Sequence, residues 1–443
     1  MSSKKPTPPT NIGRMKPILV SAALLGSAAA EFAQAVPTLG PGGAAARVEP
    51  DKAGGDDYRQ GAEAMVKGDE RKAEKAFRAA LAKAPRHALA MLGLAELAFN
   101  AKRLDEAGAW IDNAIKVEPK NAAAHAAQGR FLALKGQPKA AEAALRQAVS
   151  LDPKGFRAHI DLADMMQTSG RIKEAVGLYR QAVAIDAAHA GARYALGLAL
   201  RRDGDLAGSR AELARAIELA PGNPLPHVGM AQTQLAARDH AGALASLDKA
   251  EAIQPTLLDA LMLRGVVLSD ADRADEALKA YDRAAAVAPK LAEIPMRKAM
   301  IEHQRGRADA AMVAYRQTID IEPRHAIALN NMASLALEQR KDLDQAEAWA
   351  KRAIEVNGQV GTFHDTLGWV HRGQGNLKAA LVSLTKAASL APKDPQILYH
   401  LGVVQAESGD KARARQSLKA SLSLSESAPS AKAARELLAS LGG

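Results

Sequence analysis

Small and bulky apolar residues recur along this chain on a fixed ruler. Counting Gly54 as position 1, small residues return at positions 8, 20 and 27, and a bulky apolar residue returns at position 24. The first unit carries Gly61, Ala73 and Ala80 with Phe77, and the second Ala95, Ala107 and Ala114 with Ile111. The seventh carries Gly265, Ala277 and Ala284 with Tyr281. Such spacing predicts two helices per unit, with small residues at 8 and 20 letting them approach and the bulky residue filling the space between them. Proline marks the same ruler at residues 85, 119, 153, 221, 255, 289 and 323, at steps of 34 residues or twice that. Ala187 stands where one proline is missing; Gly358 falls one residue late, and Pro392 regains the step. A fixed period of this length predicts a solenoid and leaves little chain for a separate active-site domain.

The pattern resembles the tetratricopeptide repeat, a helix–turn–helix of 34 residues with small residues at 8, 20 and 27 and proline at 32. Eleven consecutive units run from residue 54 to 428, the ninth having 35 residues, with the extra one near Lys341. The resemblance implies an all-α, right-handed superhelical α-solenoid. Residues 429–443 are expected to cap it: Pro429 and Ser430 open a helix whose Ala434, Leu437, Leu438 and Leu441 share one face. Two departures stand out. The family's aromatic at position 4 is replaced by Met91, His125, His159, Arg193, His227 and His364, and Pro295 fits only in a first helical turn.

Composition narrows the function. Aromatics make up 3% of the 443 residues and cysteine is absent, which removes disulfides, thiolate catalysis and cysteine-ligated metals. Residues 1–35 read as a signal peptide. Lys4, Lys5, Arg14 and Lys16 form a basic start, Ile18 to Ala30 is uncharged and apolar, and Ala33-Gln34-Ala35 offers a cleavage site after Ala35. Met15 is an alternative start, and a retained membrane anchor an alternative reading, although the run is short for a membrane span. Residues 36–55 read as a flexible Gly/Pro/Ala-rich linker. The net charge of +10 falls to +7 once the four basic and one acidic residue of the first 35 are removed. Its charges are interspersed along the helices with no aromatic-plus-basic pattern, so nucleic acid is not an expected partner.

In the family that the repeats resemble, positions 2, 5, 9, 12 and 13 of each first helix line a concave face. That register places Tyr58, Tyr194 and Tyr399 at position 5 and Trp369 at position 9, and brings His303, Asn330, Asp365, Trp369, Arg372 and Tyr399 along one groove. An indole beside a guanidinium and an amide suits a peptide, and equally a sugar ring. Arg130, Arg201 and Arg202 form a second, basic candidate for an acidic partner, with Asp164 nearby. Tyr179, Tyr281 and Tyr315 at position 24 are expected in the core, and Trp110 and Trp349 at position 23 in packing or on the convex face.

No cofactor or metal is expected. The position-4 histidines recur once per repeat and cannot converge on one ion, and His364 and His371 with Asp365 lack a good ligand spacing. Phosphate-binding glycine loops, nucleophile elbows and zinc-helix motifs are missing, so the expected protein is not an enzyme. The expected function is a protein- or peptide-binding scaffold exported to a bacterial envelope, periplasmic or secreted. Leu329-Asn330-Asn331, Asp365-Thr366-Leu367-Gly368-Trp369-Val370 and Tyr399-His400-Leu401-Gly402 are similar to the end of exported bacterial repeat proteins of exopolysaccharide and exosortase systems. That similarity implies a part in assembling or exporting a surface polymer. Two alternatives stay open: a polysaccharide-binding module serving a separate enzyme, and a cytosolic co-chaperone or assembly adaptor.

Overall fold

The computed structural model describes residues 54–425, 427–428 and 430–442. The signal-like segment, both start sites, most of the linker and Pro429 lie outside these residues. Among the described residues there are 23 helices and no strand. They begin with Gly55–Val66 paired to Glu70–Lys83, run pair by pair to Pro395–Glu407 with Lys411–Leu424, and end on the single helix Ala431–Ser440. The stack divides into two compact units, one ending at Ala260 and one beginning at Leu261. No described helix is long and apolar enough to cross a membrane.

Each helix pair forms because the chain starts and stops it locally. Asp69, Asn121, Asp205, Asp239, Asp342, Asn376, Asp394 and Asp410 accept a hydrogen bond from a backbone N–H of the first turn they precede. His87, His189 and His325 do the same through Nδ1, at 3.3, 3.1 and 3.2 Å. That role requires these rings to be neutral with the proton on Nε2. Pro295 lies in the first turn of Glu293–Gln304, where its missing N–H costs nothing.

The turn inside each pair uses a left-handed residue at a fixed place. Gly68, Gly136, Gly170, Gly204, Gly306, Gly375 and Gly409 take positive φ there, and Lys102, Arg238, Asp272 and Arg340 occupy the equivalent place with φ of 59, 60, 56 and 53°. In the ninth repeat the turn continues through Lys341 to a second left-handed residue, Asp342, at φ 48°. A side chain in this conformation costs roughly 1 kcal/mol relative to glycine. Arg238→Gly is therefore expected to stabilise the fold by roughly 0.5–1 kcal/mol. Gly136→Ala, whose added methyl would meet nothing within 4 Å, should destabilise it by a similar amount through φ alone. Urea midpoints with unchanged m-values check both; an Arg238→Gly variant that is less stable would contradict the assignment.

Position 4 explains its own departure from the family. His125 Nε2 lies 2.8 Å from the carbonyl of Pro119, Arg193 Nε donates to Ala187 at 2.8 Å, and His364 Nε2 lies 3.0 Å from Gly358. In each case the acceptor is the residue that marks the ruler, including the two marks that are not proline. A polar side chain here satisfies a carbonyl just past a helix end.

The core is built from the position-24 side chains. Phe77, Ile111, Leu145, Tyr179, Leu213, Leu247, Tyr281, Tyr315, Leu384 and Leu418 are all buried. They press on the small residues opposite: a Cβ added at Gly61 would lie 2.6 Å from Phe77, and one at Gly265 2.4 Å from Tyr281. The last helix packs on the second unit, with Ala434 buried and Leu437, Leu438 and Leu441 on the same apolar cluster.

Candidate functional site

In the second unit the structure gathers Asp365, Trp369, Arg372 and Tyr399. The first helices Gly361–Gly373 and Pro395–Glu407 present them side by side. Arg372 grips Glu407 with two hydrogen bonds, Nε to Oε2 at 2.8 Å and Nη2 to Oε1 at 2.5 Å. Its Cζ also sits 4.5 Å from the centre of the Trp369 ring. His400 stacks on the same indole at 4.0 Å and 18°. The His400 Nδ1–H donates to Asp365, 2.8 and 2.9 Å from its two oxygens, and Nε2 lies 2.7 Å from Gln396 Nε2. Trp369 is thus held between neighbouring first helices and is 9% exposed. It leaves little open ring for a sugar to stack on. Burial raises the Tyr399 phenol above its ordinary range, against a smaller opposing pull from Arg372.

His303 and Asn330 make no contact with these groups that would join them to one site, and His303 meets Tyr315. The Tyr315 hydroxyl lies 3.3 Å from His303 Nδ1 and accepts from Asn331 Nδ2 at 3.2 Å. Asn330 is buried and its side-chain oxygen has no partner. Beside the Trp369 cluster, Glu347 accepts from Lys351 and from Gln374 Nε2 at 2.9 Å. Lys351 first and Gln374 second hold its carboxyl down to about 2.

All four aromatics expected in the groove are buried in apolar clusters, Trp369 and Tyr399 in the second unit and Tyr58 and Tyr194 in the first. Tyr58 has no exposed surface and packs on Phe77 and His87, at 5.9 and 5.2 Å between ring centres. Its hydroxyl is buried without a partner, and burial pushes it up to about 12. Tyr194 packs with Leu198, Leu213 and Ala216. Position in the repeat sets where Cα–Cβ points, but a six-membered ring swings down between helices when neighbours are small. Trp349 joins the core of the second unit, and Trp110 packs against an apolar cluster of the first, its indole N–H 3.5 Å from Glu106.

The first unit carries a polar ladder. Glu96, Arg130 and Asp164 stand one repeat apart at position 9. Arg130 Nη1 donates to Asp161 at 2.8 Å, and Nη2 lies 3.6 Å from Glu96. Burial pulls the Arg130 value down, but Asp161 and Glu96 outweigh it and the net shift is upward. Asp161 also accepts from Arg157 Nε at 2.7 Å. Asp161 was missed in the sequence because its partner lies 31 residues away, a separation only the stacked repeats make local.

Asp164 is different: it accepts a hydrogen bond from the Tyr179 hydroxyl, but burial pushes its carboxyl up from 3.8 to about 6. An aspartate raised in the fold destabilises the folded state at neutral pH, and the penalty fades as pH falls from about 6 to about 4. Asp164→Asn keeps an acceptor for Tyr179 and should raise stability at pH 7.5 by roughly 1–3 kcal/mol, with little effect near pH 4. Thermal melts at both pH values check this; equal effects at both would contradict it.

Arg201 and Arg202 complete this unit's candidates. No described carboxylate pairs with either. Arg201 Nε is buried without a hydrogen-bond partner, and burial, reinforced by Arg202, lowers its value. Among the described residues no three His, Asp or Glu side chains gather closely enough to hold a metal ion.

Comparison with known proteins agrees with this architecture. Tetratricopeptide-repeat family models match residues 64–131, 109–156, 160–224, 262–323, 296–359 and 366–432. The sequence matches no curated protein. Solved structures similar to the chain include the APC/C hetero-tetramer Cut9–Hcn1, at 12% identity over 88% of this chain and 96% of that one, TM-score 0.42. Yeast Tom70 is similar at 15% identity over 89% and 96%, TM-score 0.44. The type IV pilus biogenesis factor PilW is similar at 18% identity over 47% and 97%, TM-score 0.43. A repeat of this kind is generally a non-enzymatic scaffold that binds peptides or proteins. With family models covering most of its length and helix pairs from end to end of the described residues, this chain belongs to the tetratricopeptide-repeat family.

Proposed function

We propose that this protein is an exported, non-catalytic scaffold that holds peptide segments of other proteins against the first-helix face of its repeats. The observation that carries the reading is that polar side chains of successive first helices meet across the repeat boundary. Glu96 meets Arg130, Arg130 meets Asp161, Asp365 meets His400, and Arg372 meets Glu407. Such contacts join the first helices of repeats two to four in the first unit and of repeats ten and eleven in the second. Each pair keeps at least one side chain in contact with water, with exposures from 15 to 36% for the more open partner, so an incoming polar group can reach it. Export rests on the basic start, the apolar run and Ala33-Gln34-Ala35. A role in assembling or exporting a surface polymer rests on the short motifs around Asn330, Trp369 and Tyr399, and protein ligands there are favoured over glycans because the Trp369 ring is occupied.

The test is a cross-linked capture from cell-envelope fractions, identified by mass spectrometry. The bait is wild type or an Arg372→Glu/Glu407→Arg exchange, which keeps an ion pair and inverts the local charges. Proteins captured by wild type and lost by the exchange support the reading. An identical set from both would remove the second unit's contacts from the binding surface. Intact mass of the cellular protein tests export: a mature chain beginning at Val36 is expected, and a soluble chain retaining Met1 would overturn it.

A further inference from the structure

The turn between the ninth and tenth repeats carries a reactive pair that no other turn has. Asn357 stands at its head, and Gly358 follows at the place that proline holds at 119, 153 and 323. Asn357 is the only asparagine in the chain followed by glycine. An asparagine amide has an electrophilic carbon, and the backbone nitrogen of the next residue can attack it and close a succinimide ring. A proline there has no N–H to lose, and any other side chain crowds the approach. Glycine offers the N–H and the open approach together.

The fold keeps this pair accessible. Asn357 is exposed and follows the helix Leu343–Val356 with φ −148° and ψ 89°. Glu118, Asp152 and Glu322 precede their prolines with φ of −130, −134 and −126° and ψ of 82, 86 and 88°. The ninth turn thus keeps a shape that suits proline, and among the described residues nothing accepts a hydrogen bond from the Gly358 N–H. Asn357 Oδ1 accepts from the Gln359 N–H at 3.2 Å, which folds the side-chain amide back over Gly358. Asp152 and Asp186 fold back in the same way, onto the N–H groups of Lys154 and Ala188 at 3.2 and 3.1 Å. Asp203-Gly204, a related pair, is tied down instead: Asp203 is the last residue of the helix Ala190–Asp203, and the Gly204 N–H donates to the Arg201 carbonyl at 3.2 Å.

We propose that Asn357-Gly358 is a self-modification site whose isoaspartate product loosens the helix Gly361–Gly373. The Gly358 nitrogen attacks Asn357 Cγ and the N–Cγ bond forms. The Cγ–Nδ2 bond breaks, and the proton lost from the Gly358 nitrogen leaves with the departing ammonia. Water then opens the succinimide. Cleavage of the new bond leaves aspartate; cleavage of the original peptide bond leaves isoaspartate, with the chain running through Cβ and Cγ. The Asn357-Gly358 peptide must rotate for the attack, and glycine leaves it freest to do so. Aspartate fits the turn, because Asp152 and Asp186 hold the same place and make the same bond. Isoaspartate adds a methylene to the backbone between two packed helices. It displaces the Gly358 carbonyl, which lies 3.0 Å from His364 Nε2 in the first turn of the helix that carries Asp365, Trp369 and Arg372. This chemistry is independent of what the first-helix face binds.

The experiment is incubation of the full chain in mildly alkaline buffer, where the attacking nitrogen loses its proton more readily, followed by peptide mass mapping. Isoaspartate is distinguished from aspartate by enzymatic methylation of its carboxylate. Asn357 should convert ahead of Asn100, which is also exposed at a helix end but is followed by Ala101, and should yield both products. Gly358→Pro removes the attacking N–H and should abolish conversion. Gly358→Ala keeps the N–H, places a methyl 3.3 Å from the Ile354 carbonyl, and should convert several-fold more slowly. Hydrogen exchange should show lost protection in Gly361–Gly373 of the aged wild type, with protection kept in aged Gly358→Pro and in fresh Asn357→Asp. Conversion at Asn357 no faster than at Asn100, or as fast in both glycine variants as in wild type, would overturn the site. Full protection of Gly361–Gly373 in the isoaspartate-containing fraction would overturn the loosening.

Discussion

Phe77→Ala should unfold the first repeat while leaving distant repeats intact. Phe77 has no exposed surface, and its ring sits against Gly61 of its own repeat and Gly93 of the next, each so close that a Cβ there would lie 2.6 Å from it. Removing the ring leaves a cavity shared by three helices, and losses of this kind run to about 3–5 kcal/mol. A repeat array distributes stability by neighbour contacts, and among the described residues the first repeat has a neighbour on one side only. Hydrogen exchange should therefore show lost protection across Gly55–Val66 and Glu70–Lys83, with the helices after Leu261 unchanged. Phe77→Leu should recover most of the loss, because Leu145, Leu213, Leu247, Leu384 and Leu418 do the same task elsewhere. Uniform deprotection of the whole chain would contradict neighbour-limited stability.

The second large effect is electrostatic. The Asp161 side chain is 5% exposed and is the shared counter-charge of Arg130 and Arg157. Asp161→Ala removes the counter-charge that the two guanidiniums share, and Glu96, 3.6 Å from Arg130, compensates Arg130 in part. Breaking a buried pair costs about 3–5 kcal/mol, and because the arginines retain some contact with water roughly 2–4 kcal/mol is expected here. Arg130→Met in the same background should restore part of the loss, since the uncompensated charge and not the lost contact carries most of the penalty. Additive losses in the double variant would contradict that attribution.

Much of the fold was legible because the period is strict. The small-to-large pairing of Gly61 with Phe77 and Gly265 with Tyr281 could be read from spacing alone, and the structure places those residues in contact. The left-handed turn was equally visible in principle: Gly68, Gly136, Gly170, Gly204 and Gly306 fall on the same 34-residue ruler as the prolines. It was obscured because Lys102, Arg238, Asp272 and Arg340 hold the same conformation without the residue that signals it.

The site was less legible, for a geometric reason. Register tells which helix face a residue starts from, not where a long side chain ends. Tyr58 and Tyr194 start from the groove register and finish in the core, while Trp369 finishes beneath His400 and Arg372. Arg130 and Arg372 find their counter-charges in the next repeat, at separations of 31 and 35 residues. Arg201 and Arg202 do not, and that difference between four basic candidates of similar appearance emerges only once the repeats are stacked.

The central claim is that partners lie on the first-helix face. It is tested most directly by a photo-crosslinking amino acid introduced in cells at single exposed positions. Leu134 and Glu407 end first helices, whereas Val313 and Val382 sit on second helices, and all four side chains are exposed. Discrete protein adducts from positions 134 and 407, with few or none from 313 and 382, are the expected result. Adducts with the same proteins from the second-helix positions, or from those positions alone, would contradict the claim and move the binding surface to the other face of the repeats.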